Sequence, residues 1–161
     1  MSEDKTKSWP QIRPATSADG VCIRQLVFGV LGEYGLRPDP EGVDGDLNDI
    51  EQSYLARGGM FFLLELHEGE VIGCYGLYPL DEQTCELRKM YLRREYRGKG
   101  HGRRMMEHAL ARAREVNFSV MALETASVLE EAVGLYRSFG FEAYEAEHLC
   151  ERCDQAYRLR L

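Results

Sequence analysis

The sequence predicts a mixed α/β protein of the α+β type, in which a largely antiparallel sheet carries about four flanking helices. Short apolar runs bounded by turn residues indicate strands, and longer segments with apolar residues every three or four positions indicate helices. In chain order they are one strand, two helices, three strands, one helix, one strand, one helix and two strands. The third helix supplies a crossover within the sheet.

The N-terminal part of the chain holds the first strand and two helices. Residues 1–10 are polar and are expected to form a flexible tail. A short strand is predicted at Gln11–Pro14, and the pattern Thr16-x-x-Asp19 resembles a capping box that begins a helix. Apolar spacing predicts a second helix over Asp46–Ala56, after a loop rich in proline and glycine.

The rest of the chain supplies two more helices and six strands. A long helix begins at Arg103, and a shorter one runs from Leu129 through Tyr136 and ends near Gly140. The predicted strands are Met60–Leu66, Glu70–Tyr78, Cys85–Leu92, Ser119–Glu124, Phe141–Tyr144 and Ala156–Leu161.

Length and composition are typical of one soluble globular domain, residues 1–161, with 44% hydrophobic and 29% charged residues. The net charge of −7 argues against general nucleic-acid binding. The N-terminal segment does not combine the basic start and apolar core of a signal peptide, so none is expected. No apolar run approaches the roughly 20 residues that cross a bilayer. A cytoplasmic protein without a nucleic-acid or membrane partner is therefore expected.

Five cysteines are scattered through the chain at Cys22, Cys74, Cys85, Cys150 and Cys153. An odd number without regular spacing is not a disulfide framework. The Cys150-x-x-Cys153 pair is compatible with metal or redox chemistry, but a structural zinc needs four ligands and no second pair is present. The prediction is reduced structural thiols and no metal.

The strand Cys85–Leu92 has an irregular pattern. Cys85 and Leu87 are apolar at odd positions, whereas Met90 and Leu92 are apolar at even ones. Because side chains alternate along a strand, one extra residue between Leu87 and Met90 would restore the phase. This predicts a β-bulge; the alternative is that Lys89 spans an edge position without one.

A glycine-rich turn, Arg97-Gly98-Lys99-Gly100-His101-Gly102, separates this strand from the long helix. The first turn of a helix offers free N–H groups and the positive end of the helix dipole, and glycine lets a ligand approach the backbone closely. Residues 88–104 contain eight lysines and arginines against one glutamate, a local charge of +7. The pattern favours a phosphate or pyrophosphate site over a solvated basic helix start.

An acidic segment lies between Pro38 and Ala56, where no lysine or arginine occurs. It is interpreted either as a solvated acidic face or as a surface that attracts a cationic amine. Its acidic residues are Asp39, Glu41, Asp44, Asp46, Asp49 and Glu51.

These features together resemble the GCN5-related N-acetyltransferase (GNAT) superfamily. The motif Arg97-x-x-Gly100-x-Gly102 matches its acyl-CoA pyrophosphate signature. The strand ELRKMYL before the motif and the Ala132-x-x-Leu135-Tyr136 segment, followed by Gly140-Phe141, resemble the same family. The agreement in order and spacing covers residues 60–145.

The resemblance implies a GNAT-like fold with a V-shaped split in the sheet and transfer of an acetyl group from acetyl-CoA to an amine of a small molecule or peptide. Glu86 would be the general base, the alternative being a strand carboxylate that pairs with Arg88 or another cation. Tyr136 would be the general acid, the alternative being an aromatic residue of the core. The resemblance also implies a homodimer, since many members of the family form one. The residues that would bind the cofactor are Met90, Tyr91, Leu92, Arg97, Gly98, Lys99, Gly100, His101 and Gly102.

One departure and two alternatives accompany this resemblance. Leu129 stands where many members of the family have an asparagine that contacts the cofactor arm. A non-catalytic acyl-CoA sensor would keep the phosphate site and lose the chemistry, although Glu86 and Tyr136 are both present. A nucleic-acid-binding module that uses the basic patch is less favoured because the rest of the chain is acidic.

Overall fold

A seven-stranded sheet organises the part of the chain that the computed structural model describes, residues 10–161. The strands lie in the order β1-β2-β3-β4-β5-β7-β6, and every neighbouring pair is antiparallel except β4 and β5. Their bounds are β1 Gln11–Pro14, β2 Met60–Glu65, β3 Val71–Pro79, β4 Thr84–Leu92, β5 Val120–Thr125, β6 Glu142–Tyr144 and β7 Gln155–Arg160.

Four helices cover the two faces of the sheet and bury a separate apolar cluster on each. Helices α3 and α4 contribute Met106 and Tyr136 to one cluster, and helices α1 and α2 contribute Ile23 and Ile50 to the other. The predicted order of helices and strands is confirmed. The helices are α1 Gly20–Glu33, α2 Ile50–Ser53, α3 His101–Glu115 and α4 Glu130–Ser138.

The V-shaped split lies between β4 and β5. These strands pair over three residue pairs only, from Thr84↔Val120 to Glu86↔Ala122. Both strands continue beyond the last pair, β4 to Leu92 and β5 to Thr125. The edge of β4 that faces β5 is therefore open along its second half, as the resemblance implied.

The predicted bulge is present at Lys89. Cys74 pairs with Tyr91 and Gly76 with Arg88, so one residue of β3 faces two residues of β4. Lys89 has a φ of 55°, the left-handed backbone conformation that the first residue of a G1 bulge adopts. The extra residue lets Leu87 and Met90 reach the same apolar cluster, the one beneath α3 and α4.

Two predictions are wrong. The segment Asp46–Ala56 is not one helix, because Asp49 has an extended backbone (φ −150°, ψ 91°) and caps the short helix α2 through a hydrogen bond from the Gln52 N–H. Cys150 and Cys153 are not reduced thiols, because they form a disulfide. Their proximity in one turn makes this pairing possible without a larger disulfide framework.

The predicted flexible tail lies outside the described residues, apart from Pro10. Pro10 is buried, and its carbonyl accepts a hydrogen bond from Arg104 on α3. None of the helices within residues 10–161 combines the length and apolarity that crossing a membrane requires.

Candidate active site

A cavity of about 800 Å³ opens where β4 and β5 separate. It extends from the glycine turn at the start of α3 to the disulfide turn between β6 and β7. All the residues predicted for the site line it except Lys99 and His101. The predicted residues in its wall are Glu86, Met90, Tyr91, Leu92, Arg97, Gly98, Gly100, Gly102 and Tyr136.

At two positions of the glycine turn, the backbone has a conformation that only glycine adopts without strain. Gly98 has a φ of 73° and Gly100 a φ of 88°, and Gly100 is the N-cap of α3. Gly102 is ordinary helix, and a Cβ placed there would lie 3.6 Å from Leu135 Cδ2, in the wall of the cavity. The helix dipole and the free N–H groups of α3 therefore face a cavity that no side chain fills at this point.

Arg97 anchors the turn to its surroundings. Its Nε donates to the Leu92 carbonyl at 2.9 Å, and its Nη1 donates to Glu33 Oε2 at 2.8 Å. The guanidinium also lies 5.5 Å from the centre of the Tyr34 ring. Arg97 thus ties the end of β4 to helix α1 and adds one positive charge to the wall of the cavity.

Lys99 and His101 direct their side chains elsewhere. The Lys99 ammonium lies 5.7 Å from the centre of the Tyr96 ring. His101 is buried as the first residue of α3, and burial lowers the pKa of its imidazole, with smaller contributions from Arg104 and Lys99. The backbone of both residues stays the candidate for cofactor binding at this turn.

Lys89 does not belong to the basic cluster at the glycine turn. Its ammonium is buried, 2.8 Å from Asp44 Oδ1 and 3.4 Å from Asp46 Oδ1, and it donates to the Val43 carbonyl at 3.1 Å. The local charge of +7 is therefore divided between the two ends of the cavity. The bulge causes this division, because it turns Lys89 toward the acidic segment.

Asp44 joins two distant loops over the cavity. Its carboxylate is fully buried and accepts two hydrogen bonds from Arg152, at 2.6 and 2.7 Å, although the two residues are 108 positions apart. Burial alone would raise the pKa of Asp44, but hydrogen bonds from Arg152, Lys89 and the Asp39 N–H outweigh it and hold the pKa well below its usual range. Asp44 is thus a charged structural link.

The acidic segment fits neither interpretation as a whole. Asp49 caps α2, and Asp39 accepts hydrogen bonds from the N–H groups of Gly42 and Val43. Asp46 accepts from the Tyr54 hydroxyl and is the only acidic residue of the segment that lines the cavity. Most of this charge therefore organises the loop.

Glu86 lines the cavity but already has a cationic partner. Arg88 Nε donates to its carboxylate, and the Arg88 guanidinium stacks 3.8 Å from the centre of the Tyr78 ring. The side chains of Glu86 and Arg88 are 16% and 29% exposed, so the pair is half-buried where the V begins, at the last residue pair between β4 and β5. The structure thus leaves the role of Glu86 as the general base a prediction.

Glu124 is a cavity carboxylate that the sequence prediction missed. It lies on β5 and is half-buried in the cavity wall. Burial is the main cause that raises the pKa of Glu124, and the negative charge of Glu86 adds to it. Its signal in the sequence is a single carboxylate within the apolar strand VMALET, where a buried charge needs a reason.

Tyr136 reaches the cavity from helix α4. It is 6% exposed, and its ring centre lies 5.9 Å from that of Phe141 and 6.4 Å from that of Tyr157. Burial raises the pKa of its phenol well above the usual range, with a contribution from Tyr91, so the hydroxyl stays protonated at neutral pH. Leu129, the N-cap of the same helix, also lines the cavity.

The cysteines offer no reactive thiolate to the cavity. Cys150 and Cys153 line it, but their sulfurs are joined to each other. Cys74 and Cys85 are buried away from the cavity wall, and burial raises the pKa of each thiol to about 12. A thiol that is protonated at neutral pH is a poor nucleophile.

Known proteins share this fold and sequence pattern. Residues 31–141 match the sequence profile of the Acetyltransferase (GNAT) family. The uncharacterized N-acetyltransferase YjgM of Escherichia coli (strain K12) is 37% identical over 138 residues, which cover 83% of this chain and 82% of that protein.

Two solved structures show the same fold at low sequence identity. A GNAT-family acetyltransferase of Staphylococcus aureus Mu50 has a TM-score of 0.88 at 21% identity and covers 94% of this chain and 98% of its own. An acetyltransferase of Salmonella typhimurium, solved with its cofactor acetyl-CoA, has a TM-score of 0.72 at 21% identity, with 94% and 93% covered. The chain therefore belongs to the GNAT family of N-acetyltransferases, which confirms the predicted family, fold and enzyme class.

Proposed function

We propose that this chain transfers the acetyl group of acetyl-CoA directly to an amine of a small molecule or peptide. The observation that carries the proposal is one continuous cavity, with the start of helix α3 at one end and the carboxylates of Glu86 and Glu124 at the other. The Salmonella relative of similar fold holds acetyl-CoA. That a single domain, residues 1–161, acts in the cytoplasm as a homodimer stays a prediction.

The cofactor would bind along the open edge of β4. The pyrophosphate would meet the N–H groups of the turn from Arg97 to Gly102, where the dipole of α3 is positive. The main chain from Met90 to Leu92 has no strand partner on the side facing β5 within the described residues, so it is free to pair with the extended pantetheine arm. No metal is needed for either contact.

Tyr136 would supply the proton for the departing sulfur. A neutral phenol at the wall of the cavity can donate to the CoA thiolate when the carbon–sulfur bond breaks. Because the pKa of Tyr136 is raised, the driving force of this proton transfer is lower. The contribution of Tyr136 to the rate would therefore depend on where its hydroxyl lies relative to the sulfur. A carboxylate at the other end, which the sequence predicts to be Glu86, would accept a proton from the amine.

Direct attack is favoured over an acetylated enzyme. An acetyl-cysteine intermediate needs a thiolate in the cavity, and the two cavity cysteines form a disulfide. The buried thiols of Cys74 and Cys85 stay protonated at neutral pH because their pKa values are about 12. The amine would therefore attack the thioester while both substrates are bound.

An acceptor screen tests the proposal. Purified protein is mixed with acetyl-CoA and a panel of polyamines, amino acids and peptides, and thiol release is followed together with the mass of each acceptor. We expect thiol release that depends on the acceptor and an equal amount of acetylated amine. Calorimetric binding of CoA without turnover on any acceptor would instead indicate the non-catalytic sensor.

A further inference from the structure

Glu124 stands immediately beyond the point where β4 and β5 separate. The last residue pair between these strands is Glu86↔Ala122, and Glu124 follows Ala122 by two positions. Because side chains of a strand alternate between faces, Glu86, Ala122 and Glu124 project from the same face of the sheet. Both carboxylates line the cavity.

The two carboxylates differ in their partners. Glu86 is bound to Arg88, whose guanidinium is held by the Tyr78 ring. Within residues 10–161, no lysine, arginine or histidine forms an ion pair with Glu124. A half-buried carboxylate without a cation is costly unless a cationic ligand supplies the missing charge.

The surroundings of Glu124 keep its carboxyl group available. Glu86 and Arg88 act on it from β4, the Cys150 N–H acts from the loop before β7, and Tyr144 faces it from β6. On β7, Arg158 stacks on the Tyr144 ring at 4.8 Å. Burial is the main cause that raises the pKa of Glu124, and the charge of Glu86 is the second. The Cys150 N–H and Arg88 lower this pKa by smaller amounts, so it stays raised.

We infer that Glu124 binds the acceptor in its ammonium form and takes the first proton from it, beside the Glu86–Arg88 pair. The acceptor class is then an aliphatic amine that is protonated at neutral pH. This inference rests on the proposed transfer to an amine and names the residue that receives the substrate. Glu86 becomes a neighbour that fixes Arg88 and strengthens the local negative field.

The proton and bond changes balance with the groups present. An N–H proton of the ammonium moves to the Glu124 carboxylate, and the freed lone pair forms the carbon–nitrogen bond at the thioester carbonyl. The carbon–sulfur bond then breaks, Tyr136 donates its proton to the thiolate, and the amine nitrogen returns a proton to Tyr136. Glu124 releases its proton to solvent, which accounts for the one proton produced per amide.

Two small probe amines isolate this role. Methylamine is almost wholly protonated at pH 7, whereas methoxyamine is almost wholly neutral. Thiol release from saturating acetyl-CoA is measured with each probe for the wild type and for the variants Glu124→Gln and Glu86→Gln. Each variant keeps the shape of the side chain and removes its basicity.

For Glu124→Gln we expect a loss of about 10²–10⁴ in rate with methylamine, the usual size of general-base help, and less than about tenfold with methoxyamine. Glu86→Gln removes a negative charge but no proton acceptor, so its loss with methylamine should stay below about tenfold. Equal losses with both probes in Glu124→Gln, or a larger loss with methylamine in Glu86→Gln than in Glu124→Gln, would overturn the inference.

A titration that needs no turnover separates this inference from the proposed function. The side-chain carboxyl carbon of Glu124, assigned by its absence in Glu124→Gln, is followed by NMR against pH. Its pKa should lie above that of an ordinary glutamate and fall when methylammonium chloride is added. If methylammonium leaves the pKa of Glu124 unchanged, the inference is overturned even when the wild type transfers acetyl groups. If the pKa falls but no acceptor gives thiol release, Glu124 binds the ammonium and the proposed function is contradicted.

Discussion

The two ends of the cavity are built in different ways. The proposed cofactor end comes from one continuous stretch, in which β4, the glycine turn and the start of α3 follow each other along the chain. The proposed acceptor end is assembled from separated segments: the acidic loop, the bulge, Glu124 and the disulfide turn. The bond between Asp44 and Arg152, which closes it, joins residues 108 positions apart.

This difference separates local from long-range determinants. The cofactor end depends on glycine conformations and a helix start, which short sequence patterns specify. The acceptor end depends on buried ion pairs, whose formation requires the whole fold. We therefore expect substitutions at the cofactor end to change binding with little effect on stability, and substitutions in the Asp44 network to do the reverse.

The largest expected effect is on stability, from Asp44→Asn. The substitution leaves Lys89 and Arg152 without their shared carboxylate, and breaking a buried pair typically costs about 3–5 kcal/mol. The free energy of unfolding, measured with denaturant, should fall by about this amount. Asp49→Asn is the matched control: this N-cap is exposed, and asparagine caps equally well, so a change below about 0.5 kcal/mol is expected.

The effect of Asp44→Asn should also depend on pH. The pKa of Asp44 is lower in the folded protein than in the unfolded chain, so its stabilisation is complete above the unfolded value of about 3.9. It is lost as the pH falls from there toward the folded pKa. The gap between wild type and variant should therefore shrink below about pH 4, and a gap that widens there contradicts this role of Asp44.

The next effect concerns the cofactor end, where Gly102→Val places a branched side chain in the cavity wall. Gly102 is helical, so the backbone accepts valine, but the added atoms would occupy the proposed pyrophosphate site. Calorimetry should show CoA binding weakened by about 100-fold, near the upper end of overpacking costs of about 1–3 kcal/mol.

Gly134→Val is the control for this substitution. Gly134 is exposed within helix α4, and a Cβ there has no neighbour within 4 Å. This variant should bind CoA like the wild type. If Gly102→Val folds and binds CoA normally, the pyrophosphate does not lie at the start of α3.

A smaller effect is expected at Tyr136, between the two ends. Tyr136→Phe removes only the hydroxyl and should lower turnover at least about tenfold, the lower part of general-acid effects, with unchanged CoA affinity. Tyr157→Phe is the control, because this buried hydroxyl bonds to Gln155 at 3.0 Å and is not part of the cavity wall. It should cost about 1 kcal/mol of stability and no turnover. Equal turnover in both variants would show that the Tyr136 hydroxyl is not the general acid and that Tyr136 only packs in the core.

The smallest effect is expected from Leu129→Asn, which restores the residue common in the family. One added hydrogen bond to the cofactor arm is worth about 0.5–1.5 kcal/mol, so CoA should bind about 2–10-fold more tightly. Calorimetric titration measures this gain. Unchanged or weaker binding means that the cofactor arm does not pass the N-cap of α4.

Much of the cofactor end could be predicted because its signals are local. The change of apolar phase between Leu87 and Met90 predicted the bulge, and the glycines predicted the turn before α3. Charge was less informative, because a sequence shows that Lys89 is positive but not which way its side chain points. The bulge directs it to Asp44, away from the turn.

The acceptor end could not be predicted to the same extent. The apolar spacing of Asp46–Ala56 fits a helix, but contacts of Lys89 and Arg152 with Asp44 fix the preceding loop and Asp49 interrupts the helix. Glu124 gave a usable signal, a single carboxylate in an apolar strand. Its place in the cavity depends on the separation of β4 and β5, which is a long-range feature of the fold.

Direct transfer of the acetyl group to an amine can be tested by intact-mass spectrometry, with acetyl-CoA labelled with ¹³C in the acetyl group. The protein is mixed with labelled acetyl-CoA, with and without an amine from the acceptor screen, and quenched after one turnover. We expect the label on the amine, an unchanged protein mass, and thiol release only when the amine is present. A protein that gains the acetyl mass before the amine is added, and loses it afterwards, would contradict direct transfer.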